Sequence, residues 1–372
     1  MSKIFSFLRY RTAAVIVGGI ILLLYQTANS AAIIEGERMH PVEARNGMVV
    51  TSHFLATQSA LEVLEQGGNA IDAAVTAAFS LAVTQPRSGN IGGGGFMLIS
   101  AEQKGQVIAI DYREKAPSGA AVDMFLDESG EVDTNRSRFS HLAAAVPGTV
   151  AGLGLALETY GTISLKQAMA PAIALAEEGF VVTPRFSQGL KAGDERLKKW
   201  ESSRKIFYKA DGGYYEPGDR FVQKELAETL KRIAANGVSE FYEGKTAELL
   251  VAEMKRHGGL ISMTDMKSYE PVIRAPVQGL YRGYDIYSMS PPSSGGAHIV
   301  QLLNILEGYD IGGSGHNSAR TIHLMAEAMK RAYADRSKYL GDEEFVNVPL
   351  EGITSKKYAS ELAKGIDIEE AA

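Results

Sequence analysis

The pattern of apolar and polar positions divides the chain into short, well-punctuated elements. Met48 to Ser52 predicts a strand. Phe54 to Gln66 follows with apolar residues at helical spacing (Phe54, Leu55, Ala60, Leu61, Leu64), and Gly67-Gly68 stops it. Asn69 then caps a helix over 70–83, with Asp72 near its positive N-terminal end. That helix is apolar almost all round, which predicts a buried central element and a domain more than two layers thick. Phe96 to Ser100 and Gln106 to Tyr112, joined through Lys104-Gly105, predict a hairpin. Leu142 to Val146 is a further short apolar run, broken by Pro147-Gly148-Thr149 before a helix from Val150 to Tyr160. From Ser164 to about Leu260 the spacing is mostly that of amphipathic helices. Tyr281 to Met289 predicts a strand, Pro291 to Gly296 a turn, Ala297 to Leu306 a helix, and Ser318 to Tyr339 a long helix of good formers. No repeat or linker interrupts this, so one domain of α+β class is expected.

The first thirty residues follow a different logic. Lys3, Arg9 and Arg11 precede a 13-residue apolar run from Ala13 to Tyr25, and small residues follow at Ala28 to Ala32. A basic start, a short apolar middle and a small-residue end describe an export signal, and the run is shorter than the roughly 20 residues of a spanning helix. The expected organisation is therefore a signal peptide over 1–32, cleaved or retained as an anchor, and a mature region over 33–372. A bacterial periplasm or exterior is the expected compartment. Losing Lys3, Arg9 and Arg11 takes the formal charge from −6 to −9. So acidic a chain carries no general footprint for nucleic acid. Cysteine is absent, which removes disulfides, Cys-ligated metals and a Cys nucleophile. The 39 glycines are clustered, which predicts tight turns and close backbone approach.

Common chemical motifs fail. Gly244-Lys245-Thr246 lacks the first glycine of a phosphate loop, because position 239 is Ser239. Gly92 to Gly95 misses the dinucleotide pattern at Met97. Gly312-Gly313-Ser314-Gly315 ends at His316 and makes no nucleophile elbow. His316, His323 and Glu327 fall on one helical face, a pattern more often solvated or packed than ligating, so no metal and no cofactor is expected. Ser293-Ser294-Gly295-Gly296 reads as a helix cap or an anion seat, with the cap preferred; His298 four residues after Ser294 does not make a dyad with it. Arg113 has two readings. It follows the apolar run Val107 to Ile110 and sits beside Asp111 and Glu114. Its guanidinium either grips a ligand carboxylate through two parallel bonds or pairs with those neighbours.

Six stretches together resemble one family. They are Gln66 to Val75, Gly89 to Met97, Asp111 to Pro117, Val146 to Gly152, Pro291 to Gly296 and Tyr333 to Ser337, in the family's order. The chain resembles the large-subunit part of a γ-glutamyltranspeptidase. The resemblance implies an N-terminal nucleophile hydrolase fold, an αββα four-layer sandwich of which this chain would be an incomplete part. It implies a precursor that cuts itself, freeing a threonine whose hydroxyl attacks a γ-glutamyl amide with its own α-amino group as base. Glutathione and related γ-glutamyl compounds are the implied substrates, with water or an amino acid or peptide as acceptor. The implied partner is the small subunit of the same precursor. No threonine here is followed by histidine, so the nucleophile motif is absent from this sequence and no catalytic residue is assigned. Arg113 alone carries over, as the grip on the substrate carboxylate. Two other readings remain: an acylase of glutaryl or β-lactam side chains, and a non-catalytic large chain or truncated product.

Overall fold

The computed structural model describes residues 42–101 and 105–371, together with the backbone of two short strands at Ile34–Glu35 and Arg38–Met39. The expected signal peptide lies outside the described residues. Residues 1–48 and 49–372 form two separate units. In the first, the two short strands pair antiparallel. Everything below concerns the second.

Its elements follow the sequence pattern closely. Helix α1 spans Phe54–Glu65 and α2 spans Ala70–Thr84. The side chain of Asn69 accepts from the N–H groups of Ile71 and Asp72, and Asp72 returns a bond to the Asn69 N–H. This reciprocal cap fixes where α2 begins. Asp72 is fully buried, yet its carboxylate also takes the Thr162 hydroxyl at 2.6 Å and the N–H groups of Thr162 and Ile163. Burial pushes its pKa up, and these donors outweigh burial and hold it below the ordinary value. α2 packs against α1, α3 (Thr149–Tyr160) and α4 (Leu165–Glu178), so the apolar circumference read from the sequence is indeed wrapped by helices.

Strands β1 (Phe96–Ala101) and β2 (Gln106–Asp111) form the expected hairpin, and β3 (Val272–Arg274) pairs on the far side of β2. All pairings are antiparallel, with Ile99 opposite Ile108 and Ile110 opposite Ile273. Strand alternation turns Ile99 and Ile110 into the main core and leaves Leu98, on the other face, 43% exposed. That core is built around Phe79, Ile110, Leu153, Met169, Phe221, Leu230, Ile233, Phe241 and Met266. Helices α5 (Lys224–Asn236) and α6 (Lys245–Arg256) belong to the same body.

A second, smaller part begins with the hairpin β4 (Val277–Tyr281) and β5 (Tyr284–Ser288). Its two-residue turn has positive φ at both Arg282 and Gly283, as this class of hairpin turn requires. α7 (Ser294–Leu306) lies against this hairpin, and with α8 (Ala319–Tyr339) and α9 (Lys356–Lys364) it encloses Ile305, Leu324, Ala328, Ala359 and Ile366.

One expectation is corrected. Met48 to Ser52 forms no strand: Val49 turns inward onto a small cluster with Ala60, Ala73 and Ala77, Thr51 is half-buried with its hydroxyl donating to the His53 carbonyl, and Val50 faces outward. The apolar run Leu142 to Val146, given no element type from the sequence, is irregular for most of its length. It starts in a 3-10 turn at His141–Ala143 and pairs only at Val146, opposite Lys115.

Candidate functional site

Two of the glycine-rich stretches, 92–95 and 148–152, meet at one place because the chain beyond β2 is threaded between them. Tyr112 exchanges backbone bonds with Gly95, and Lys115 exchanges bonds with Val146. The N–H groups of Gly148 and Thr149 both donate to the carbonyl of Gly93, at 2.8 and 3.0 Å. The approach is too close for side chains. A Cβ on Gly94 would lie 2.5 Å from the Tyr112 carbonyl oxygen, and one on Gly152 would lie 2.1 Å from the Tyr112 ring. A Cβ on Gly148 would meet the Tyr112 carbonyl at 2.0 Å and the Tyr269 hydroxyl at 2.1 Å. The glycine clusters are thus required by packing around residues 112–115, as the sequence predicts.

Two tyrosines lock the far side. The Tyr242 hydroxyl donates to the Pro147 carbonyl at 2.9 Å and accepts from the Ala151 N–H at 3.2 Å. Tyr269 stacks on Tyr242 and donates its hydroxyl to the Arg113 carbonyl at 2.8 Å. Burial pushes both phenols well above the usual tyrosine range, so they remain donors at any working pH.

Arg113 is therefore held firmly at its backbone. Its N–H donates to Asp111 Oδ1 at 3.0 Å, and its carbonyl is fixed by Tyr269. Its side chain is exposed. Among the described residues no hydrogen bond or ion pair engages the guanidinium. Of the two local partners the sequence offered, Glu114 makes no ion pair with Arg113 among the described residues, and Asp111 is occupied elsewhere: its Oδ2 accepts from Arg274 Nε at 2.8 Å, and Arg274 also reaches Glu344 at 3.1 Å. Burial pulls the Arg274 pKa down, and the two carboxylates reverse that and raise it. The contributions of Tyr269 and Arg274 have no signal in the local sequence, because they arrive from 156 and 163 residues away.

The other sequence candidates do not assemble. Ser293 caps α7 by accepting from the Gly295 N–H, and Ser294 Oγ takes the Arg336 guanidinium at 3.1 Å. His298 packs against the Tyr333 ring and makes no dyad with Ser294. His316 contacts Asn317, His323 contacts the Asp367 carbonyl, and Glu327 binds Lys330 and Arg331, so these three share no centre. An open cavity of about 400 Å³ lies elsewhere, lined by Tyr339, Pro349, Ile353 and Tyr358 among others, with none of the glycine-rich stretches in its wall. Among the described residues no helix is long and apolar enough to cross a membrane.

Comparison with known proteins places the chain in a family. The profile of the gamma-glutamyltranspeptidase family matches residues 56–372. A glutathione hydrolase proenzyme of Escherichia coli is 50% identical over 339 residues, covering 91% of this chain and 58% of the relative. The acylase ACY 1 proenzyme of Pseudomonas sp. strain SE83 is 42% identical, covering 89% of this chain and 60% of the relative. The chain thus spans about three-fifths of the length of these curated relatives. The crystal structure of Helicobacter pylori gamma-glutamyltranspeptidase superposes with a TM-score of 0.87 at 47% identity, covering 89% of this chain and 95% of that one. The fold is accordingly of the α+β, N-terminal nucleophile hydrolase type. Matched along most of its length by profile, sequence and structure, the chain belongs to the gamma-glutamyltranspeptidase family.

Proposed function

We propose that this chain forms the substrate-clamping wall of an exported glutathione hydrolase and γ-glutamyltransferase, with Arg113 gripping the α-carboxylate of the glutamyl group. One observation carries the reading. A guanidinium whose backbone is fixed on both sides stands exposed and, among the described residues, without a partner, in the motif where the family resemblance implies such a grip. A planar fork of donors matches a carboxylate in two parallel bonds, which fixes orientation as well as position. The attacking threonine hydroxyl comes from the small subunit of the same precursor. It forms a γ-glutamyl ester and releases the amine, and water or an amino acid or peptide then takes the γ-glutamyl group. A stripe on α8 supports such a partner: Ile322, Met325, Met329 and Tyr333 recur at helical spacing and are 44–56% exposed. The basic and apolar N-terminal sequence supports export.

The test is made on the complete, self-processed enzyme. Arg113→Ala is expected to lower kcat/KM for a γ-glutamyl anilide by about 30-fold or more, the scale of a lost charge-assisted contact. Arg113→Lys is expected to restore part of it. On a 4-aminobutyryl anilide, which keeps the amino group but has no carboxylate at that carbon, the same variants are expected to change little. An unchanged rate with the γ-glutamyl substrate removes Arg113 from the site. The similarity to an acylase proenzyme favours a second reading, side-chain deacylation of β-lactams, and a higher kcat/KM for glutaryl over γ-glutamyl substrates would select it.

A further inference from the structure

Away from the Arg113 strand, three metal-ligating side chains meet between elements more than a hundred residues apart. His141 comes from the 3-10 turn, and Glu253 and His257 come from the last turn and the cap of α6. One ligand atom from each falls within 4.8 Å of the others. Glu253 Oε1 lies 3.3 Å from His257 Nε2 and 3.8 Å from His141 Nε2. Its second oxygen is turned away to Arg256 at 3.2 Å, which leaves Oε1 to the two imidazoles. The rings stack with centroids 4.6 Å apart and a 26° tilt, and the Trp200 ring closes one side edge-on to both. Two edges therefore point one way, held by the stack and the indole rather than by hydrogen bonds; 3.8 Å is too long for one.

We propose that His141, Glu253 and His257 form a binding site for a divalent first-row transition cation, with zinc the best match. A cation bonded at about 2.0–2.1 Å to nitrogen and oxygen places its ligands about 3.3 Å apart. One of the two nitrogen–oxygen separations already has that value, and the other needs a shift of half an ångström. Two imidazoles and one carboxylate suit zinc, copper or nickel rather than calcium or magnesium. The imidazoles have to be neutral to bind. The ligand side chains are 16%, 33% and 32% exposed, so an ion can enter, and a fourth position is open to water. Bound there, the cation would tie the His141 turn to α6, a few residues before the Val146–Gly148 turn that carries the Arg113 strand. The site stands independently of the function proposed above.

The experiment is titration of the metal-free full chain with zinc chloride, followed by calorimetry and thermal melting. One equivalent is expected to bind saturably, and a hundredfold excess over Kd is expected to raise Tm by about 3 °C or more, reversibly with a chelator. His141→Ala and His257→Ala are each expected to weaken binding at least about tenfold. His316→Ala with His323→Ala serves as the control and is expected to leave binding unchanged. Tetrahedral absorption bands on substitution with cobalt would identify the coordination directly. Absence of saturable binding, or equal binding by the double variant His141→Ala/His257→Ala, overturns the proposal.

Discussion

The body built on α1 to α6 and the part built on β4, β5 and α7 to α9 close their surfaces differently. In the first, nearly every large apolar side chain of α2, α3 and α5 finds neighbours within the chain, and even the buried carboxylates of Asp72 and Asp265 have all their donors supplied. In the second, α8 buries Leu324 and Ala328 on one face and shows Ile322, Met325, Met329 and Tyr333 on another. The contrast teaches that self-sufficiency is local. A chain can finish one core to native density and hold a second surface whose composition matches an interface.

The comparison is broken most severely at the glycine cradle. Gly148→Ala places a methyl group 2.0 Å from a backbone oxygen that cannot swing away. The expected cost is about 3 kcal/mol or more, read as a drop of many degrees in Tm or as loss of soluble protein. If the variant melts like the wild type, the body is not closed as described.

Asp265 gives an intermediate effect. It accepts the Ser262 hydroxyl at 2.6 Å and the N–H groups of Ser262 and Ser118 at 2.8 Å. Burial pushes its carboxyl up, and these donors bring it down to about 2 from 3.8. A carboxyl lower in the folded than in the unfolded chain stabilises above the unfolded value, and that contribution is lost as pH falls through the folded one. Stability is therefore expected to fall between about pH 4 and pH 2. Asp265→Asn should cost about 2 kcal/mol at pH 7 and flatten that acid limb in denaturant titrations at several pH values.

The smallest effect sharpens the other half of the contrast. Met325→Ser with Met329→Ser is expected to change the stability of the isolated chain by about 0.5 kcal/mol or less, because both side chains are already half in water. The same pair should lower the yield of complex with the small subunit proposed above, measured by co-purification. A large loss of stability in the chain alone would mean that the stripe is core rather than interface.

How far the sequence carried the structure follows from the range of each interaction. α1, α2, the first hairpin, α7 and α8 were legible because caps, turns and apolar spacing act within a few residues: Asn69, Ser293 and Ser318 all cap where the pattern places them. Met48 to Ser52 misled because alternation alone does not supply a neighbouring strand. Arg113 was legible as a candidate, since its residue type and motif are local. Its setting was not, because Asp111, one of the two apparent local partners, is claimed by Arg274, and Tyr269 reaches the same strand from a distant helix end. The His141, Glu253 and His257 cluster escaped for the same reason, with one ligand far from the other two along the chain.

The two-sided mooring of Arg113 has a thermodynamic consequence. Since Asp111 and Tyr269 already immobilise its root, an anion meeting the tip would quench only side-chain torsions, worth up to about 2 kcal/mol, instead of freezing a whole loop. Capture at such a post is expected to resemble a key entering a set lock, with little reshaping of the protein around it.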